Sequence, residues 1–323
     1  MSEVSKSNPA LRAIKHIWSE YSIVLVMIFI FVVAGIIAPR FFTASNIMII
    51  LRQASIIGMI ALGMTFVIII GGIDLSSGHV VAAAGTVLIL LQGNADIPLV
   101  VVIVACIAVA TLIGFINGAI ITRFHLPPFI VTLAIVIMVR SLALNHTNGV
   151  SITGRRVPEF VQIGTGSIGV IPNALIIWIV CAIIFGGILA FTKFGSYIYA
   201  VGGNEIAAKH SGISVNKVKL AAYTIAGFCV GVATLLDLSR MAAVAAATTG
   251  DMYEFDAITA VVVGGATLSG GRGRILNTVF GVIIITSVSN IMIMFGLSPF
   301  LSGMLRGTII LIAVLLQKKD KTS

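Results

Sequence analysis

Ile97-Pro98-Leu99-Val100-Val101-Val102-Ile103-Val104-Ala105-Cys106-Ile107-Ala108-Val109-Ala110-Thr111-Leu112-Ile113-Gly114-Phe115-Ile116-Asn117-Gly118-Ala119-Ile120-Ile121-Thr122 runs for 26 residues without one charged side chain and is closed by Arg123. A helix needs about 20 mostly apolar residues to cross the hydrocarbon of a bilayer. The run therefore reads as a membrane span. Working outward from it, the chain offers nine more candidates, at 22–38, 53–72, 79–93, 128–145, 172–192, 218–238, 256–270, 275–295 and 300–317. The expected fold is all-α, a polytopic transmembrane helix bundle of about ten spans. The third and eighth spans are short. Gly71-Gly72 and Gly264-Gly265 mark those regions as places for tilted, broken or re-entrant helices.

Composition leads to the same solvent. Apolar residues make up 59% of the 323, charged residues only 10%, and the mean hydropathy is +1.15. Soluble domains carry about 25% charge, so this chain could not cover its own surface with polar groups. The formal charge of +9 is spread over short segments between apolar runs, a pattern that argues against nucleic acid as a partner and for a lipid bilayer. Cys106, Cys181 and Cys229 lie inside apolar runs and read as packing residues.

Lys and Arg also orient the chain. With ten spans and an inside N-terminus, the inner segments hold 13 basic residues, the outer segments hold five (Arg40, Arg52, Arg155, Arg156, Arg240), and Arg140 and Arg306 fall within spans. That asymmetry puts both termini in the cytoplasm. Ile36-Ile37-Ala38-Pro39 is a poor cleavage site for a signal peptide, so the first helix is expected to remain. The expected organisation is a cytoplasmic N-terminal segment at 1–21, one transmembrane domain at 22–317 containing a cytoplasmic loop at 193–219, and a cytoplasmic tail at 318–323.

Enzymatic chemistry is not legible here. Leu268-Ser269-Gly270-Gly271-Arg272 looks like the signature loop of ABC ATPases, yet no Gly-Lys dipeptide occurs to end a phosphate loop. Any nucleotide is expected to be hydrolysed by another chain. The five histidines show no metal-ligand spacing, and no Gly-x-Ser-x-Gly elbow occurs. No cofactor, metal or catalytic residue is expected. Gly71-Gly72-Ile73-Asp74-Leu75-Ser76-Ser77-Gly78 does echo Gly264-Gly265-Ala266-Thr267-Leu268-Ser269-Gly270-Gly271, either as related halves or by chance in an apolar chain.

The inner loop carries a short helix with complete punctuation. Asn204 suits the N-cap, Glu205 the positive start, Lys209 and His210 the negative end, and Gly212 the left-handed position beyond it. A helix of about two turns is marginal in water, so it needs a surface to dock on: the membrane, its own protein, or the cleft of a partner. Charges within spans are costly. Arg140 and Arg306 could line a wet path or snorkel, Asp237 and Arg240 are spaced to pair, and Asp74 and Asp256 precede apolar runs as N-caps would.

The chain resembles the monosaccharide ABC importer permeases. The resemblance lies in Gly71-Gly72-Ile73-Asp74-Leu75-Ser76, Asn117-Gly118, Pro127-Pro128-Phe129-Ile130-Val131-Thr132-Leu133, Ile152-Thr153-Gly154, Val201-Gly202-Gly203-Asn204-Glu205 with Ser211-Gly212-Ile213, and Phe255-Asp256-Ala257-Ile258. It implies a homodimer in the bacterial inner membrane, a cytoplasmic ABC ATPase subunit, and a periplasmic sugar-binding protein that delivers a monosaccharide to the outer loops 146–171 and 239–255. It assigns ATPase docking to Gly202, Gly203, Asn204, Glu205, Ala207, Ala208, Ser211 and Gly212. Together with the intramembrane arginines, it places a translocation path at Asp74, Asn117, Arg140, Asp256 and Arg306. This sequence departs from the family pattern at Ser77-Gly78-His79, Arg140-Ser141 and Ala246-Ala247-Thr248-Thr249-Gly250. An ion-coupled secondary transporter of a small polar solute is the competing reading, carried by the glycine-broken helices.

Overall fold

The computed structural model describes residues 9–298 together with 301, 303, 304, 307, 308 and 311. In chain order the elements are α1 (Pro9–Ile37), α2 (Ala44–Ile69), α3 (Ser77–Gly93), α4 (Leu99–Phe124), α5 (Pro128–Thr147), β1 (Ser151–Thr153), α6 (Pro158–Thr165), β2 (Ser167–Ile168), β3 (Ile171–Pro172), α7 (Asn173–Phe191), α8 (Lys193–Gly203), α9 (Glu205–His210), α10 (Val215–Met241), β4 (Ala243–Ala245), α11 (Tyr253–Val263) and α12 (Ile275–Met294). Among the described residues six helices, α2, α4, α5, α7, α10 and α12, are long and apolar enough to cross a bilayer. The tenth expected span and the tail at 318–323 lie largely or wholly outside the described residues.

Three sequence expectations are corrected. The second span begins at Ala44, so Arg52 lies within α2 instead of an outer loop, and its Nη2 donates to the Thr165 carbonyl of α6 at 2.7 Å. Hydropathy placed the boundary at Gln53 because Arg52 interrupts the apolar run, but a helix continues as long as its backbone bonds do. The eighth span, expected at 256–270, is α11, which stops at Val263 because Gly264 and Gly265 turn the chain, the latter at φ +86°. Eleven residues reach about 16 Å, half the hydrocarbon thickness. α3, at 17 residues, is the other short helix. Asp256, read as an N-cap, instead sits with Glu254 in the first turn of α11, whose cap position is Met252 at φ +66°.

α10 is the central helix, packed between α2 and α4. α4 turns Val102, Cys106, Ala110, Gly114 and Gly118 inward at every fourth position, while Val100, Val101, Val104 and Leu112 are exposed on the face a bilayer would cover. In lipid the drive for helix association is close packing, so small residues collect at the contact. A Cβ on Gly114 would sit 2.8 Å from the Cα of Gly227 on α10, which leaves room for glycine at both places. Polar pairs tie the other helices. Asn46 of α2 and Asn290 of α12 exchange amide hydrogen bonds of 3.0 and 2.9 Å, and Thr65 meets Thr278 at 2.9 Å. The three cysteines are free, with Cys106 and Cys229 buried as packing residues.

Strands are confined to the loops. β1 pairs antiparallel with β4, setting Ser151 opposite Ala245 and Thr153 opposite Ala243, and β2 pairs with β3. The first pair joins the loops 146–171 and 239–255 into one surface.

Candidate coupling loop and interior path

α9 has the caps its sequence promised. Ala207 N donates to Asn204 Oδ1 at 2.9 Å, Gly212 takes φ +81°, and the amides of Gly212 and Ile213 return to the carbonyls of Lys209 and Ala208 at 3.1 Å each. Such a cap stabilises a helix by about 1 kcal/mol. Lys219 Nζ, at the start of α10, donates to Glu205 Oε2 at 2.7 Å and fixes the loop against the bundle. Ala208 faces inward at 4% exposure, whereas Ala207 is exposed and Ile206 stands 72% in the open. Ile206 was missed in the sequence because one isoleucine among many carries no signal until its neighbours are placed.

Glycines join this loop to the bundle. A Cβ on Gly202 would fall on the carbonyl oxygen of Ile69, the last residue of α2. Gly271 N donates to that same oxygen at 2.8 Å. A Cβ on Gly270 would lie 2.7 Å from Gly202 O and 3.0 Å from Gly71 N. The two stretches that echo one another in sequence thus meet in space, with the end of α8 wedged against them. Together Gly71, Gly72, Asn204, Glu205, Tyr223 and Ser269 line a cavity of about 360 Å³.

Above that junction lies a buried polar cluster. Asp74 accepts from Ser76 N at 2.8 Å, Ser76 Oγ at 2.6 Å and Ser77 Oγ at 3.1 Å. It is not the N-cap of α3; Ser76 holds that position, and Asp74 organises it from two residues upstream. Asn117 Nδ2 of α4 donates to Ser76 Oγ at 2.9 Å, and Thr132 Oγ1 of α5 reaches Ile73 O at 3.4 Å. Asp74, Asn117, Glu254 and Asp256 are 3%, 0%, 3% and 7% exposed, so this interior is closed to solvent. The Glu254 carboxylate lies over Gly78, and Glu254 Oε2 and Asn117 Oδ1 have no hydrogen-bond partner among the described residues. The first turns of α3 and α11 therefore approach each other inside the bundle. Glu254 lies two residues before the expected span at 256–270, so it did not count among the intramembrane charges.

Arg140 is separate from this cluster. Its Nη1 meets His79 Nε2 at 2.8 Å and Asp251 Oδ1 at 3.9 Å, and its Nη2 donates to the Ala247 carbonyl. The three places where the sequence departs from the pattern of the family it resembles thus come together around one guanidinium, which ties the 239–255 loop to α3 and α5. Asp237 pairs with Arg240 at 3.4 Å as the spacing predicted, and Tyr253 Oη adds a hydrogen bond of 3.1 Å. Arg306 lies outside the described residues. Among the described residues no group of three or more His, Cys, Asp or Glu side chains could hold a metal ion.

A family profile described as branched-chain amino acid transport system / permease component matches residues 46–314, which takes in the glycine junction, the capped loop and the polar cluster. The chain is 41% identical over 289 residues to the ribose import permease protein of Bacillus subtilis, covering 89% of each chain. It is 38% identical over 294 residues to that of Haemophilus influenzae, covering 90% of each. This chain belongs to the monosaccharide ABC importer permease family. The L-arabinose transport system permease protein of Escherichia coli is 32% identical over 303 residues, covering 94% of this chain and 92% of its own. No solved structure matches. As a member of this family the chain is the membrane permease subunit of an ABC importer, a transport component and not an enzyme. Its energy comes from ATP, which sets aside the ion-coupled reading.

Proposed function

We propose that this permease docks a cytoplasmic ABC ATPase on α9 and passes a monosaccharide, delivered by a periplasmic binding protein, across the bacterial inner membrane. The observation that carries the proposal is the pairing of exposed Ile206 with the backbone junction at Gly202. A short apolar-tipped helix suits a partner's groove, and the junction is rigid enough to carry its displacement into the bundle. The orientation rests on the distribution of Lys and Arg, 13 inner against four outer once Arg52 is placed within α2, which favours 193–219, 1–21 and 318–323 in the cytoplasm and about ten spans, counting the short α3 and α11. The outer loops joined by β1 and β4 then meet the binding protein. Two copies are expected to form the path, with Asp74, Asn117 and Asp256 near it, Glu254 added to them, Arg140 holding its outer side, and Arg306 retained as a candidate. The relatives named for ribose and L-arabinose favour a pentose as cargo.

The deciding experiment reconstitutes the permease with its ATPase and binding protein and measures ATP-dependent ribose uptake into proteoliposomes. Ala207→Trp should abolish uptake and ATPase capture while the permease still inserts. Normal capture by that variant would overturn the assignment of α9. For the orientation, Ser211→Cys should react with an impermeant maleimide only from the cytoplasmic side.

A further inference from the structure

Near the α9 junction two cavities adjoin one another. The first is a groove of about 450 Å³ between the end of α7, through Gly186, Leu189 and Ala190, and the start of α12, through Ile275 and Leu276. The second is a polar pocket of about 420 Å³ lined by Arg272, Arg274, Asn277 and the backbone of Gly264, Gly265 and Gly271. Tyr199 and Arg274 border both, so the two form one continuous depression with an apolar and a basic end.

The apolar end lies beside a face of α7 that exposes Ile183 at 70% and Phe191 at 91%, a surface suited to lipid acyl chains. At the basic end, neither arginine has an ion pair among the described residues, and both are exposed. Tyr199 Oη donates to Gly273 O at 2.7 Å and so fixes the loop that carries both arginines. Burial pushes the Tyr199 phenol up from its ordinary value against the pull of Arg274, so it stays a neutral donor at physiological pH. The start of α12, whose N-cap Arg274 makes no side-chain cap hydrogen bond among the described residues, also favours an anion.

We propose that this depression is a binding site for an anionic phospholipid, with an acyl chain in the α7–α12 groove and the headgroup phosphate between Arg272 and Arg274. Basic pockets at the cytoplasmic ends of membrane helices take such headgroups, and the geometry here puts charge and hydrocarbon at the matching ends. The site adjoins Gly271, whose amide holds the end of α2, and therefore a lipid here would brace the junction on which α9 acts. The leaflet follows from the orientation proposed above; binding itself does not depend on it or on the assignment of α9.

The test is native mass spectrometry of the full-length permease titrated with phosphatidylglycerol or with phosphatidylcholine of the same acyl chains. The wild-type protein should retain phosphatidylglycerol in preference. R272Q/R274Q should weaken that retention by about 30-fold, taking about 1 kcal/mol for each surface arginine. Gly186→Leu fills the groove without touching the arginines, and a Cβ there meets only Ile275 at an ordinary 3.7 Å, so this variant should fold and lose the lipid too. Equal retention of the two lipids by the wild-type protein, or full retention by R272Q/R274Q, would overturn the proposal. So would displacement of the lipid by inorganic phosphate alone. Loss of ATPase capture by R272Q/R274Q with lipid retention intact would assign the arginines to the ATPase and overturn it as well.

Discussion

Gly202 and Ile69 meet backbone to backbone, so closely that a single methyl group on the glycine would take the place of the Ile69 carbonyl oxygen. That oxygen also accepts from Gly271 N, so one atom at the end of α2 links the coupling loop to the 264–273 turn. A contact without side chains cannot absorb a displacement by changing rotamers. Any movement of α8 at Gly202 would therefore press on the end of α2, two residues before Gly71.

Gly202→Ala should therefore be far more harmful than its neighbour. Overpacking of this kind costs about 1–3 kcal/mol. Gly203→Ala meets nothing within 4 Å and should stay within about 0.5 kcal/mol of the parent. Melting midpoints in detergent, taken with sugar uptake, check the pair; equal behaviour of the two alanines would contradict the junction.

Ile206→Asp should leave membrane abundance unchanged and reduce ATPase co-purification by about 30-fold, because an apolar anchor in a groove is worth about 2 kcal/mol when truncated. Lys219→Ala, by contrast, removes a pair whose Glu205 side chain is 54% exposed and should cost about 1 kcal/mol or less. ATPase pull-down and thermal melting separate the two outcomes.

Asp74→Ala strands Ser76 N, Ser76 Oγ and Ser77 Oγ in a buried site. Each donor left unsatisfied costs about 1–3 kcal/mol, so insertion or uptake should fail, and Asp74→Asn should restore part of the stability. Asn117→Leu should weaken α4 against α3 by a similar single increment. Thermal melting of the purified variants ranks them.

Arg140→Gln should release the outer loop. Hydrogen exchange at 247–251 should speed up while the amides of 205–213 stay protected, since the polar partners of Arg140 among the described residues are Ala247, Asp251 and His79. Faster exchange throughout the chain would show that Arg140 holds the bundle as a whole.

Sequence by itself determined the solvent, the fold class, the family and the caps of α9. These depend on residue type and on spacing within one segment: 26 apolar residues need lipid wherever they are placed, and Asn204 with Gly212 punctuates a helix in any context. Boundaries were less legible. Arg52 ended a hydropathy run without ending a helix, and Gly264-Gly265 ended a helix inside an apolar run.

Tertiary structure alone decided which residues act together. Asp74 and Asn117 became neighbours through Ser76, Arg140 was drawn away to the 239–255 loop, and Glu254 entered the buried interior. It also showed that Ala208 faces inward and that Ile206 does not. The physical reason is that these relationships join residues tens to hundreds of positions apart, and a chain this uniformly apolar has no local signal for which face of a helix meets protein and which meets lipid. Glycine supplies that choice, at Gly114 against Gly227 and at Gly202 against Ile69, and a glycine's role is visible only when the backbone it admits is in place.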